Sequence, residues 1–262
     1  MNSALTIAGS DSSGGAGLQA DLKTFAAHDV YGVTAVTAVT AQNRRGVTAI
    51  HPVPAAIVTK QIEAVFAELR IGAAKTGMLL NIEIIEAVAA SIEALKIPNL
   101  VVDPVMVATS GDPLLVDDAV TSLKTKLIRL AAVVTPNRPE AEILAGRAVT
   151  SLVDARDAAR RIHDLGPAAV IIKGGHLPGP EVVDLVYDGH EFIELTGPRV
   201  DTDNSHGTGC TFGAAVTAGL ALGQTLAAAT RQAKTYVEQC LRHAPSSSNG
   251  PGRGPLNHFW RE

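Results

Sequence analysis

Apolar residues along the chain fall into two alternating kinds of run. Short, mostly β-branched runs occupy residues 5–8, 33–40, 47–51, 73–76, 100–102, 132–135, 170–173, 182–187 and 191–195. Between them lie longer stretches with helical spacing, at 18–27, 55–69, 82–95, 116–129, 138–144, 154–165, 209–222 and 226–243. The first kind predicts strands and the second helices, because side chains repeat every two residues along a strand and about every 3.6 along a helix. Strand followed by helix, repeated, predicts an α/β fold: a mainly parallel sheet with helices on both faces. Leu100-Val101-Val102 and Val170-Ile171-Ile172 are apolar throughout, as strands buried on both sides require. Residues 182–195 read as a hairpin turning at Asp188-Gly189, which predicts an antiparallel edge.

In such a sheet, ligands bind beyond the carboxyl ends of the strands. The polar and glycine-rich signals fall there repeatedly. The loop 9–17, Gly-Ser-Asp-Ser-Ser-Gly-Gly-Ala-Gly, follows the first strand, and Gln42-Asn43 the second. Gly77-Met78, Asp103-Pro104-Val105, Pro136-Asn137-Arg138-Pro139-Glu140 and Gly174-Gly175-His176 follow later ones. The most telling stretch is His206-Gly207-Thr208-Gly209-Cys210-Thr211, which opens an apolar helix. Its unpaired backbone N–H groups lie at the positive end of a helix dipole and suit an anion. Cys210 in that turn is expected to ionise below the usual value of about 8.5 and so to accept a proton.

Each motif also has a plainer reading. The loop 9–17 lacks the Gly-Lys-Ser/Thr ending of a P-loop, and Asp21 reads as a carboxylate in the first turn of the following helix. Asn137 and Glu140 have the spacing of a capping box, although the same geometry turns Glu140 toward the strand ends. Asp103 reads either as a turn residue or as a Mg2+ carboxylate. Lys173 reads either as a lysine reaching solvent or as a partner for phosphate oxygens. His206 carries no assigned role, and Cys240 reads as core.

Composition narrows the function. With 262 residues, 46% apolar and a mean hydropathy of +0.19, the chain can bury one large core, and residues 1–262 are expected to form a single domain. Net charge is −4 and no basic run appears, which argues against nucleic-acid binding, so an anionic substrate needs a local site. Only two cysteines occur, and no cleavage-type segment or run of roughly 20 apolar residues is present. A cytoplasmic, reducing setting is therefore expected, with no membrane association. The histidines show no zinc-ligand spacing. Residues 245–254 are rich in Pro, Gly and Ser and read as a disordered tail, whereas Phe259-Trp260 argues that the terminus returns to the body.

Several segments together, in order along the whole chain, carry a resemblance. They are the loop 9–17 with Leu18-Gln19-Ala20-Asp21, Thr40-Ala41-Gln42-Asn43, Lys75-Thr76-Gly77-Met78 and Asp103-Pro104-Val105-Met106. Further on come Thr135-Pro136-Asn137 through Glu140-Ala141, Lys173-Gly174-Gly175-His176, the stretch 206–211 and Gly254-Pro255-Leu256-Asn257-His258-Phe259. The chain resembles the hydroxymethylpyrimidine/phosphomethylpyrimidine kinases, the thiamine-pathway branch of the ribokinase-like superfamily.

The resemblance implies a ribokinase-like three-layer α/β/α fold. It implies ATP-dependent phosphorylation of 4-amino-5-hydroxymethyl-2-methylpyrimidine to its monophosphate and then its diphosphate. ATP and Mg2+ are the implied cofactors, with a monovalent cation left open, and a homodimer is the implied assembly, with residues 33–51 as the expected contact. Gly207, Thr208, Gly209 and Cys210 would form the anion hole, Cys210 standing where most ribokinase relatives carry an aspartate. Gly9, Ala16, Asp21, Gln42, Met78 and Val105 would hold the pyrimidine. Lys173, Asn137 and Thr208 would contact ATP, and Asp103 and Glu140 would position the metal. Vitamin B6 kinases of the same branch commonly have an apolar residue at the position of Gln42, whose primary amide suits an aminopyrimidine edge. Ser205 and Phe212-Gly213 depart from the commoner threonine and Leu-Ser without removing a named group. A pyridoxal kinase, a non-catalytic pyrimidine sensor and a thiol-dependent hydrolase using Cys210 remain as alternatives.

Overall fold

The structure, a computed structural model, describes residues 1–107, 114–115, 118–176, 179–245 and 252–260. Among these, nine strands form one sheet. They are β1 (Ser3–Asp11), β2 (Tyr31–Asn43), β3 (Gly46–Pro52), β4 (Ala73–Thr76), β5 (Leu100–Val102), β6 (Val133–Val134), β7 (Val170–Ile172), β8 (Glu181–Tyr187) and β9 (Phe192–Pro198). The order is β3-β2-β1-β4-β5-β6-β7-β8-β9. Strands β2, β1, β4, β5, β6 and β7 run parallel. The hairpin β8–β9 forms the expected antiparallel edge. A second antiparallel edge, β3 on β2, was not expected. Its short turn at residues 44–45 leaves no room for the crossover helix that a parallel pair needs.

Alternation along the strands splits the core. Leu100, Val102, Val134, Val170 and Ile172 join the cluster under α2 (Ala55–Glu68), α3 (Ile82–Leu95), α5 (Arg138–Ala145) and α6 (Leu152–His163). Val101, Val133 and Ile171 point the other way, toward α7 (Thr208–Ala221) and α8 (Leu226–Arg242). α1 (Gly17–Ala27) packs beside α7, burying Phe25 with Ala4, Ala214 and Ala218. The result is a three-layer α/β/α molecule. The helix expected at 116–129 is described from Ala119: α4 (Ala119–Ser122) continues as a π turn over Leu123–Leu127 and a 3-10 turn over Ile128–Leu130. Its expected start at Val116 lies outside the described residues.

The C-terminal segment is held to the body wherever it is described. Leu256 and His258 are buried, and Asn257 donates to Cys240 O. Residues 252–254 are hydrogen-bonded to Arg44, Asp203 and His206, so that part of the expected loose tail is ordered; residues 246–251 lie outside the described residues. Of the two terminal aromatics, Trp260 stacks on His243, whereas Phe259 is exposed.

Candidate functional site

β2 and β4 lie on opposite sides of β1, and the crevice at that reversal is where α/β sheets bind ligands. A cavity of about 750 Å3 opens there and extends across the carboxyl ends of β4 to β7. It gathers the expected ring contacts Gly9, Ala16, Gln42, Met78 and Val105 on one side. On the other it gathers Asp103, Asn137, Glu140, Lys173 and the turn Gly207, Thr208, Gly209 and Cys210. Asp21 is the exception. It lies in the second turn of α1, not the first, and does not line the cavity. Its Oδ2 accepts from Thr6 at 2.6 Å and Lys75 at 3.1 Å, while Oδ1 has no partner among the described residues. Burial pushes its pKa upward against Lys75 and Thr6.

The turn before α7 is shaped by Gly207, whose φ of +86° is left-handed. A side chain there would also collide with Gly15 O, so only glycine can bring the two loops together. No side chain caps α7. Thr208 N donates to Ser205 O at 3.4 Å and Thr211 N to Gly207 O at 2.9 Å. The N–H groups of Gly209 and Cys210 have no acceptor among the described residues, which makes them available to an anion at the helix dipole's positive end.

Lys173 stands over this turn, its Nζ 3.2 Å from the place a Cβ on Gly209 would take. It donates to Asp103 Oδ1 at 2.9 Å and lies 4.0 Å from Glu140 Oε2. Burial disfavours its charge, but these two carboxylates outweigh that and hold the ammonium above its ordinary range. Asn137 and Glu140 form the capping box, with Glu140 N to Asn137 Oδ1 at 3.0 Å and Asn137 N to Glu140 Oε2 at 2.8 Å. The box and the site are therefore the same residues. Burial first, and then Asp103 against the pull of Lys173, raises Glu140 to about 7.

Cys210 corrects the sequence expectation. Its thiol is pushed up to about 11 instead of down. Burial is the largest cause; the nearby Lys75 ammonium opposes it, Asp103 and Asp21 reinforce it, and a hydrogen bond from Gly17 N–H opposes it weakly. The helix terminus alone does not offset burial together with two carboxylates.

Gln42 sits at a register shift in the β2–β3 ribbon, a bulge that re-aims its side chain. Its Oε1 accepts from Thr40 at 3.2 Å and its backbone is pinned by Ser12. Its side-chain NH2 has no partner among the described residues.

Sequence reasoning missed three functional neighbours. Lys75 is fully buried, within 3.9 Å of Asp103 Oδ2, and α7 crosses it closely because residue 213 is glycine: a Cβ there would stand 3.0 Å from Lys75 Cε. Burial disfavours its charge, but Asp21, Cys210 and Asp103 prevail and raise its pKa. Asp11 accepts from the N–H groups of Ser13, Gly15 and Ala16 and pairs with His206 Nε2 at 2.8 Å. Burial opposes its charge, but His206 and these loop groups hold it at about 2. The Asp-Ser-Ser-Gly sequence was a readable Asx-turn signal for Asp11. No local pattern marks its partner, 195 residues away.

The profile of the phosphomethylpyrimidine kinase family matches residues 11–257. The chain belongs to that family. It is 50% identical over 261 residues to a hydroxymethylpyrimidine/phosphomethylpyrimidine kinase of Rhizobium meliloti, covering 98% of this chain and 97% of that one. Among solved structures it is similar to the phosphomethylpyrimidine kinase of Clostridium difficile, at 42% identity and a TM-score of 0.82, covering 91% of this chain and 99% of that one. It is also similar to an ADP complex of Bacillus subtilis pyridoxal kinase, at 38% identity and a TM-score of 0.90, covering 98% and 97%. Both kinds of kinase therefore share this fold with the chain.

Proposed function

We propose that the protein transfers the γ-phosphoryl group of MgATP to 4-amino-5-hydroxymethyl-2-methylpyrimidine, and then a second phosphoryl group to the resulting monophosphate, in thiamine biosynthesis. Relatives bear both kinase activities in their names, and a pyridoxal kinase of the same fold is held with ADP. The observation that carries the reading is one cavity shared by the N–H groups of Gly209 and Cys210 and the side-chain NH2 of Gln42, none of which has an acceptor among the described residues.

In the transfer, the hydroxymethyl oxygen bonds to the γ-phosphorus as the bond to the bridging oxygen of the leaving ADP breaks. Such transfers depend chiefly on positioning and charge stabilisation. The N–H groups of Gly209 and Cys210, with Lys173, meet the charge on the phosphoryl oxygens, and Asn137 and Thr208 contact the donor. Cys210 starts as a thiol, so it serves by placement, and the alcohol proton passes to phosphoryl oxygen or solvent. Gly9, Ala16, Met78 and Val105 enclose the ring, and Asp21 supports it from behind through Thr6 and Lys75.

The donor set suits Mg2+. Asp103 and Glu140 are two buried carboxylates that share the Lys173 ammonium, and a divalent cation would relieve their repulsion. With two protein carboxylates, such an ion would complete its shell with water and phosphate. Mg2+ held there would neutralise charge on the donor phosphates.

We place this activity in the cytoplasm, where its nucleotide donor is found, in one catalytic domain spanning the chain. We assign the β2–β3 ribbon, with Val39 half exposed, to a homodimer contact; sedimentation as a monomer would remove that assignment.

Pyridoxal phosphorylation is the second reading, favoured by the fold match to a pyridoxal kinase. Product analysis with MgATP and the pyrimidine, run beside pyridoxal, separates the two. Mono- and diphosphate of the pyrimidine are the expected products. Pyridoxal phosphate alone would replace the proposal, and no ATP turnover with either would leave a binding protein.

A further inference from the structure

Two cations flank the turn 205–210, and they are not equivalent. Lys173, at the Gly209 end, is neutralised by Asp103 and Glu140. Arg253 stands at the other end, donating from Nη1 to Ser205 Oγ at 3.2 Å. Ser205 O in turn accepts from Thr208 Oγ1 at 2.8 Å, which puts the guanidinium beside the opening of the turn. Both Arg253 and Ser205 line the cavity with Gln42 and Cys210. Arg253 has no carboxylate partner among the described residues.

Its backbone is fixed on both sides. Arg44 Nη2 donates to Gly252 O at 3.1 Å. Gly254 N donates to Asp203 O at 3.0 Å, and Gly254 O accepts from His206 N at 3.0 Å. The chain thus delivers an uncompensated guanidinium to the mouth of the turn on a firmly held strap. The first transfer gives it little to do, because the acceptor is a neutral alcohol. In the second transfer the acceptor brings a phosphate dianion between ring and turn, where an anion needs an additional countercharge. A planar guanidinium suits phosphate oxygens through two parallel hydrogen bonds.

We propose that Arg253 binds the phosphate of the monophosphate acceptor and thereby governs the second phosphorylation. The inference rests on the two-step reading given under Proposed function.

The test compares wild type, Arg253→Gln and Arg253→Lys in each half-reaction, varying the alcohol or the monophosphate at saturating MgATP and then MgATP at a fixed acceptor concentration. Equilibrium binding of the monophosphate without nucleotide is measured alongside. Arg253→Gln is expected to lower kcat/KM for the monophosphate about tenfold or more and weaken its binding similarly, leaving the alcohol step and the KM for ATP within about twofold. Arg253→Lys should recover part of the loss. Equal losses in both steps with a raised KM for ATP would assign the residue to the donor phosphates and overturn the proposal, as would no change. If wild type phosphorylates neither acceptor, the two-step reading fails, while the binding difference between wild type and Arg253→Gln still decides the contact.

Discussion

The two ends of the cavity are built by different means. At the proposed phosphate end, the groups offered to a ligand are backbone N–H donors of a turn that only glycine can shape at residue 207. The charges behind them pair with one another: Lys75, Asp103 and Glu140 are buried and Lys173 is partly buried. At the proposed ring end, the group assigned to discrimination is one side-chain amide, Gln42, on a bulged ribbon at the edge of the sheet. Changing the first end disturbs a coupled electrostatic assembly. Changing the second alters one polar contact. The chemistry is therefore expected to tolerate little, and the choice of ring to be adjustable, which fits a fold shared with pyridoxal kinases.

Lys173→Met attacks the first end most directly. It removes the cation over Gly209 and leaves Asp103 and Glu140 to repel each other. Steady-state kinetics should show kcat lower by about 10²–10³, as for loss of one charge-stabilising donor, with pyrimidine binding by calorimetry nearly unchanged. A loss confined to pyrimidine binding would dissolve the division between the ends.

Gln42→Met is the matching change at the ring end. Losing one amide pairing, worth roughly 1–3 kcal/mol, should lower kcat/KM for the pyrimidine by about one to two decades. Turnover of pyridoxal should be kept or gained. An unchanged preference would move ring selection elsewhere, to Met78 or Val105.

This contrast also sets what the sequence made legible. The strand–helix alternation placed the sheet and its rim because fully apolar runs such as Leu100-Val101-Val102 can only be doubly buried. Glycine turns and capping spacing exposed the phosphate end, since 207–210 and Asn137–Glu140 are local patterns. Three things needed the fold. Lys75 and His206 gain meaning from partners far along the chain, Asp21 and Asp11. For the Cys210 thiol the direction is not legible, because its helix terminus is local, whereas the burial and the carboxylates that outweigh it come from distant segments, Asp21 on α1 and Asp103 after β5. The ordered stretch 252–254 is low-complexity in sequence and is fixed only by contacts with distant loops.

Cys210 yields a smaller test. With its thiol at about 11, alkylation should be slow at neutral pH and accelerate as pH climbs toward that value, with Cys240→Ala removing the second thiol as a control. The kcat/KM profile should carry no thiol limb near pH 8.5, and Cys210→Ser should retain activity within about tenfold. A limb near 8.5 that vanishes in Cys210→Ser would restore the thiolate as proton acceptor.

The last effect is nil at neutral pH and confined to acid. His258, on the C-terminal strap, pairs with Thr211 Oγ1 at 2.9 Å in the first turn of α7. Burial, helped by the charge of Lys23, lowers its pKa from 6.5 to about 4. Between those values the unfolded chain takes up a proton that the folded chain refuses. The contribution is therefore present above about 6.5 and is lost as pH falls toward 4. The linked loss is on the order of 3 kcal/mol by the acid end, and nil at pH 7 and above. Thermal melting from pH 7.5 to 4.5 should show Tm falling more steeply in wild type than in His258→Gln, with parallel curves above pH 7. Parallel curves across the whole range would mean that His258 takes up its proton without opposition and that the strap does not tie the phosphate end to acid.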